Sequence, residues 1–185
     1  TMIYNMVDRI YIGHTSDGTT AMAALGITLP IITLITAITN LFGMGGAPLC
    51  AISLGQKNRD RAEKIMANSF ICLVVSSVII TIGVLIFQEP ILYLFGADSL
   101  TIEPAKEYTT IYILGTIFVQ LTVGMNAYIN TQGFTKTGMK TVLLGAVLNI
   151  ILDPVFIYLF DMGIRGAALA TIISQGASCV WVIKF

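Results

Sequence analysis

Charged residues are scarce in this chain: they make up 11% of its 185 residues, whereas 56% of the residues are hydrophobic. Soluble domains carry about a quarter charged residues, so this composition leaves too little polar surface for a soluble protein. Ten basic and ten acidic residues give a net charge of zero. The chain therefore has no excess of positive charge to neutralise the phosphates of a nucleic acid, which argues against nucleic acid as a partner.

Cysteine pairs and enzyme signatures are also missing. Cys50, Cys72 and Cys179 lie in apolar runs without paired spacing, so we interpret them as buried small hydrophobes, with no disulfide or metal site. The sequence contains no HExxH, no GxSxG and no Walker loop. We predict that the chain is not an enzyme and needs no cofactor, and the missing nucleotide loop argues against an ATP-driven motor in it.

Long apolar runs are what the chain has. A helix that crosses a bilayer needs about 20 apolar residues, and the strands of a barrel would show alternating polarity, which is absent. The runs cover residues 1–12, 20–54, 65–87, 108–131, 142–160 and 167–185. We predict an all-α transmembrane bundle of about six helices. Because the first and last runs reach the chain ends, we expect both helices to be truncated and the chain to be a piece of a longer protein.

The second run is interrupted by Pro30, a glycine cluster at residues 43–46 and Pro48. Such residues allow helices to bend or to approach each other closely. We therefore expect bends or tight helix contacts along this run.

Charge predicts the orientation of the bundle. The segment 56–64 carries four basic residues, and Lys136 and Lys140 add two more. The other connecting segments are mostly acidic, with Asp17, Glu89, Asp98, Glu103, Glu107 and Asp161. Basic loops stay in the cytoplasm, so the first, third and fifth helices are predicted to run outward through the cell membrane.

Two carboxylates stand inside apolar runs. Asp8 lies in the first run, and Asp153 lies in the fifth, four residues after Asn149 and therefore on the same helical face. A charged side chain inside a membrane costs at least a few kcal/mol, so such residues usually mark ion pathways. The two carboxylates with their amide are able to hold Na⁺ or to share a proton.

Local alternatives exist for both carboxylates. Asp8 could pair with Arg9 near the outer interface, and Asp153 could cap a helix broken at Pro154. A carboxylate followed directly by proline, where the backbone ladder must open, fits an ion site better. A weak similarity between residues 7–12 and 152–157 adds the hypothesis of an internal repeat, which would place the two carboxylates at similar depths.

Other polar residues in the runs are ambiguous. Thr171 and Ser174 either face inward or bond back to their own helix. Asn126, Asn130 and Gln120 either line a cavity or hold helices together.

Several segments together resemble the multidrug and toxic compound extrusion family. The most specific is Leu-Asn-Ile-Ile-Leu-Asp-Pro-Val-Phe at residues 148–156. The others are residues 5–14, 24–27, 162–168 and 170–175. The resemblance covers essentially the whole chain, residues 1–185.

Members of that family are twelve-helix antiporters with two six-helix lobes around a central cavity. They expel cationic or polyaromatic drugs, driven by the entry of Na⁺ or H⁺. The resemblance implies that this chain is the amino-terminal lobe. Its partners would be small organic cations or drugs, membrane lipid and a carboxy-terminal lobe.

The resemblance also assigns site residues. The family's cation site falls on Asp8, Asn149, Asp153 and Thr171, which would be the Na⁺ ligands of a sodium-coupled member. Tyr4 matches a cavity tyrosine. Proton-coupled members also use the aspartate of the first helix, so these residues do not choose between Na⁺ and H⁺.

Two other functions compete with drug export. A lipid-linked oligosaccharide flippase of the same superfamily would favour an arginine-rich cavity, whereas the runs here hold almost no arginine besides Arg9. A non-transporting scaffold or receptor would leave the buried carboxylates dispensable. An intramembrane enzyme is a third possibility, with no motif behind it.

Overall fold

The computed structural model describes residues 8–13 and 18–185, and Tyr4 lies outside them. The helical residues 8–12 are called α1. The other helices are α2 (Gly18–Gly55), α3 (Arg59–Ile86), α4 (Gln88–Leu94), α5 (Ile102–Leu114), α6 (Thr116–Thr131), α7 (Thr135–Pro154) and α8 (Gly163–Lys184). A π-helix, Val155–Leu159, continues α7. The described residues include no strand, so the all-α prediction is confirmed.

Most of the predicted spans are present. Four helices in the described part are long and apolar enough to cross a membrane: α2, α3, α7 with its π-helix, and α8. The pair α5–α6 passes the same test as one broken span, which gives up to five. The first predicted run lies largely outside the described residues.

The fourth run is not a straight helix. It bends by 53° between α5 and α6, at Gly115. A side chain at this glycine would collide with Ile172 of α8, which packs directly against the backbone there. The bend therefore lies where α8 presses on the chain.

The second run forms one helix. Pro30 and Pro48 both lie inside this continuous helix of 38 residues and do not end it. A proline removes a single backbone hydrogen bond, and a helix packed along its length, as α2 is on α3 and α6, tolerates that loss. The expected close contact is confirmed, because Gly43 lies against Gly124 of α6.

Two predicted loops are mostly helix. Five of their six bases lie in the first two turns of α3 and α7: Arg59, Arg61, Lys64, Lys136 and Lys140. Asn58 explains the early start of α3, since its side chain accepts the backbone N–H of Arg61 at 3.1 Å and caps the helix. Because the helices were predicted from apolar runs, the prediction missed the polar residues at the start of each helix.

The buried apolar side chains form two clusters. One joins α1, α2, α5, the π-helix and α8, with Ile12, Tyr108 and Ile157 among its members. The other joins α2, α3, α6 and α8 and includes Cys50 and Cys179, which serve as apolar core residues as predicted. The polar site described next lies beside the first cluster.

Candidate functional site

Three helices bring four predicted residues together. Asp8 comes from α1, Asn149 and Asp153 from α7, and Thr171 from α8. All four are buried, and Asn149 and Asp153 have no exposed surface. Their spacing of four residues places the two α7 side chains on one face, and this face packs against α8.

Asn149 is the centre of the site. Its Nδ2 donates to Asp153 Oδ1 at 3.0 Å and lies 3.4 Å from both Asp8 Oδ1 and Thr171 Oγ1. The Thr171 hydroxyl donates to Asp8 Oδ2 at 3.2 Å. One amide therefore links both carboxylates and the hydroxyl.

Neither local alternative describes these contacts. Asp153 lies within α7 and caps no broken end, because the chain continues through Pro154 into the π-helix. The ion pairs among residues 8–13 and 18–185 do not include Asp8 with Arg9. Asp8 accepts hydrogen bonds from neutral side chains instead.

Two oxygen atoms at the site lack a donor. Asp153 Oδ2 and Asn149 Oδ1 are buried and have no hydrogen-bond partner in the described part of the chain. A buried polar atom without a partner costs about 1–3 kcal/mol, so each such atom calls for an explanation. Here both belong to a set of four oxygen-bearing side chains that carries excess negative charge.

The donor set has a clear chemical preference. Carboxylate, amide and hydroxyl oxygens are hard ligands that suit a small hard cation, and two neighbouring carboxylates are also able to share a proton. The described residues contain no group of three or more His, Cys, Asp or Glu side chains that could hold a metal ion. The chemistry of two carboxylates, one amide and one hydroxyl is compatible with Na⁺ or H⁺.

Tyr108 is a site residue that the sequence did not reveal. Its hydroxyl donates to Asp8 Oδ2 at 3.4 Å, and its ring stacks on Tyr112 with centroids 5.9 Å apart. Both rings are almost fully buried. The signal was a pair of tyrosines one helical turn apart, but tyrosine is also common at membrane interfaces, so spacing alone did not identify it.

A small cleft is lined in part by Asp8 and Tyr108. Its other walls come from α1 and α2 and consist of Arg9, Leu25, Leu29 and Ile32.

The other polar residues lie elsewhere. Asn126 donates to the Gly138 carbonyl at 3.3 Å, and Asn130 approaches the same glycine, so both lie at the α6–α7 contact. Gly138 precedes Asn149 by eleven residues, about 17 Å along α7. Gln120 accepts the Ser76 hydroxyl at 2.9 Å and joins α6 to α3. A cavity role for Asn126 and Asn130 stays a prediction.

Comparison with known proteins gives one consistent result. The MatE family matches residues 1–155. The multidrug export protein MepA of Staphylococcus aureus is 28% identical over 185 residues, and MepA of Staphylococcus saprophyticus is 31% identical over 186. Each alignment covers 100% of this chain, and the chain spans 41% of the length of these curated relatives.

A solved structure shares the fold. The inward-facing conformation of a multidrug resistance MATE family transporter superposes with a TM-score of 0.93 at 27% identity. The match covers 98% of this chain and 41% of that one. With the apolar helices described above, these similarities identify a multi-pass protein of the cell membrane, and the chain belongs to the MatE family.

Proposed function

We propose that this chain is the amino-terminal six-helix lobe of a secondary transporter that exports small organic cations or drugs in exchange for Na⁺ or H⁺. The observation that carries the proposal is the buried set of Asp8, Asn149, Asp153 and Thr171, in which two carboxylates meet without a basic partner among the described residues. Two relatives are named multidrug export proteins and are more than twice as long, which supports a second lobe.

The site suggests how ion entry would drive export. With the cavity facing outward, Asp8, Asn149 and Asp153 take up the cation, which neutralises the carboxylates and weakens their hold on a cationic substrate. The lobe then rocks against its partner lobe, opens inward and releases the ion. The rocking step is a shift between an outward-facing and an inward-facing conformation that differ in their affinity for the ion.

The proposal is tested on the full-length protein in detergent. Thermal stability is measured while Na⁺ replaces choline at constant ionic strength, at two pH values. A sodium site predicts a saturable stabilisation, about 2.7 kcal/mol at 100 times Kd. A pH response without a Na⁺ response, lost in Asp8→Asn, would establish proton coupling. A protein that responds to neither ion would contradict the proposal and favour a scaffold.

The Thr171 hydroxyl provides a finer test. Thr171→Val keeps the shape of the side chain but removes the donor to Asp8, whereas Thr171→Ser keeps the donor. We expect Val to weaken cation affinity about tenfold, because the hydroxyl oxygen that would be a cation ligand is lost, and Ser to stay within about twofold. The midpoint of the stability titration measures both. Equal midpoints for Val and the parent would remove Thr171 from the site.

A further inference from the structure

Tyr158 connects the π-helix to α1. Its hydroxyl donates to the backbone carbonyl of Tyr11 at 2.6 Å, and the two rings meet edge to face with centroids 6.2 Å apart. Tyr11 is one of the helical residues 8–12 and lies three residues after Asp8, about one helical turn away. Tyr158 therefore fastens the end of α1 from outside.

The π-helix brings Tyr158 to this place. It follows Asp153 and Pro154 directly, and its wider turn is marked by the bond from Phe160 N–H to the Val155 carbonyl at 3.0 Å. One extra residue in a turn changes the direction of every later side chain by about 100°. The direction of Tyr158 thus depends on the π-turn that follows the site carboxylate.

The π-helix also packs closely against α8. A Cβ atom at Gly166 would lie 2.7 Å from the Phe156 carbonyl carbon and 3.0 Å from the Ile157 nitrogen, so α8 touches the backbone here. Gly166 is five residues before Thr171 on α8. The π-helix therefore joins α1 and α8, which carry Asp8 and Thr171.

The contacts that α1 makes at Asp8 and at Tyr11 differ in length. Asp8 meets Tyr108, Asn149 and Thr171 at 3.2–3.5 Å, the long end of the hydrogen-bond range. The bond from Tyr158 to the Tyr11 carbonyl, at 2.6 Å, is much shorter. Both sets of contacts lie on α1 three residues apart, so a shift of α1 at Tyr11 also changes the position of Asp8.

We propose that Tyr158 is a positioning residue of the cation site: its bond to Tyr11 holds α1 so that Asp8 meets Asn149, Asp153 and Thr171. Tyr158 contacts neither ion nor substrate in this role. The inference rests on the proposed function. When the bond is lost, α1 moves away from α7, Asp8 leaves the other ligands and the cation is bound more weakly.

The experiment uses Tyr158→Phe in the full-length protein, since phenylalanine keeps the ring and removes only the hydroxyl. We expect cation affinity to fall about threefold to tenfold, so the stability difference from the parent should widen as the cation is added. Amide hydrogen exchange of residues 9–13 should become faster. Tyr93→Phe, at an exposed tyrosine of α4, is the control and should change none of these readouts.

The outcomes separate the two proposals. Tyr158→Phe with cation affinity within twofold of the parent overturns the positioning role, and so does a loss of stability that is equal at every cation concentration. A parent protein that responds neither to Na⁺ nor to pH refutes the proposed function, and the inference about Tyr158 falls with it. Weaker affinity in Tyr158→Phe but not in Tyr93→Phe supports both.

Discussion

Replacing Asp153 with asparagine is expected to abolish the stabilisation by cations and to reduce efflux to background. Asparagine has nearly the same shape, so the packing of α7 against α8 is kept. The substitution removes one of the two negative charges around Asn149 and leaves Asp8 as the remaining carboxylate of the set. A buried site that has lost half of its negative charge would attract the cation too weakly to replace the hydration that the cation has in bulk water.

Stability without the cation distinguishes this explanation from misfolding. In the parent protein the two carboxylates share one amide in a water-poor interior, where like charges repel strongly. Removing one charge relieves this repulsion. We therefore expect Asp153→Asn to be at least as stable as the parent in cation-free buffer while it no longer responds to Na⁺. A misfolded variant would be less stable under all conditions.

Asp161→Asn is the matched control. Asp161 is exposed in the connection before α8, and its φ of 53° lies in the left-handed region that asparagine tolerates well. The same change of charge therefore occurs outside the site without backbone strain. The control should keep both efflux and the cation response, measured by thermal melting and by drug efflux from proteoliposomes. Asp153→Asn with a normal response would place the coupling site elsewhere.

The sequence predicts only those site residues whose burial in a membrane costs free energy. Asp8 and Asp153 stand out because a carboxylate in an apolar run is unfavourable unless it has a function. Asn149 was predicted because it lies four residues before Asp153 and so on the same helical face. Thr171 was singled out by family resemblance, because hydroxyls in apolar helices usually bond to their own backbone. Thr33, Thr36 and Thr39 do so. Burial beside Asp8 separates Thr171 from them, and burial is a tertiary property.

The fold was predictable to the same extent. Apolar runs locate the spans, since they report the length of chain that needs lipid or protein around it. The bend at Gly115 depends on Ile172, which is distant in sequence, whereas Gly45 and Gly83 lie within unbroken helices. A glycine therefore permits a bend but does not predict one. The π-turn after Asp153 likewise depends on contacts with α1 and α8.

The second large effect is expected where α2 and α6 meet. A Cβ atom at Gly43 would lie 2.8 Å from the Gly124 Cα and 3.1 Å from its carbonyl oxygen. These are backbone atoms, so Gly43→Ala forces the two helices apart. Overpacking of this kind costs about 1–3 kcal/mol. We expect a clearly lower melting temperature for the full-length protein in detergent, and a still lower one for Gly43→Val.

Gly45→Ala, two residues further along the same helix, is the control. A Cβ atom there would have no neighbour within 4 Å, and alanine favours helix by up to about 1 kcal/mol, so stability should stay or rise. Gly43 is eleven residues beyond Ile32, about 17 Å along α2 from the cleft at Asp8, so the cation midpoint of Gly43→Ala should equal that of the parent. Equal melting temperatures for the Gly43 and Gly45 variants would contradict the close contact of α2 with α6. If the cation midpoint shifts in Gly43→Ala but not in Gly45→Ala, the contact of α2 with α6 is energetically coupled to the ion site.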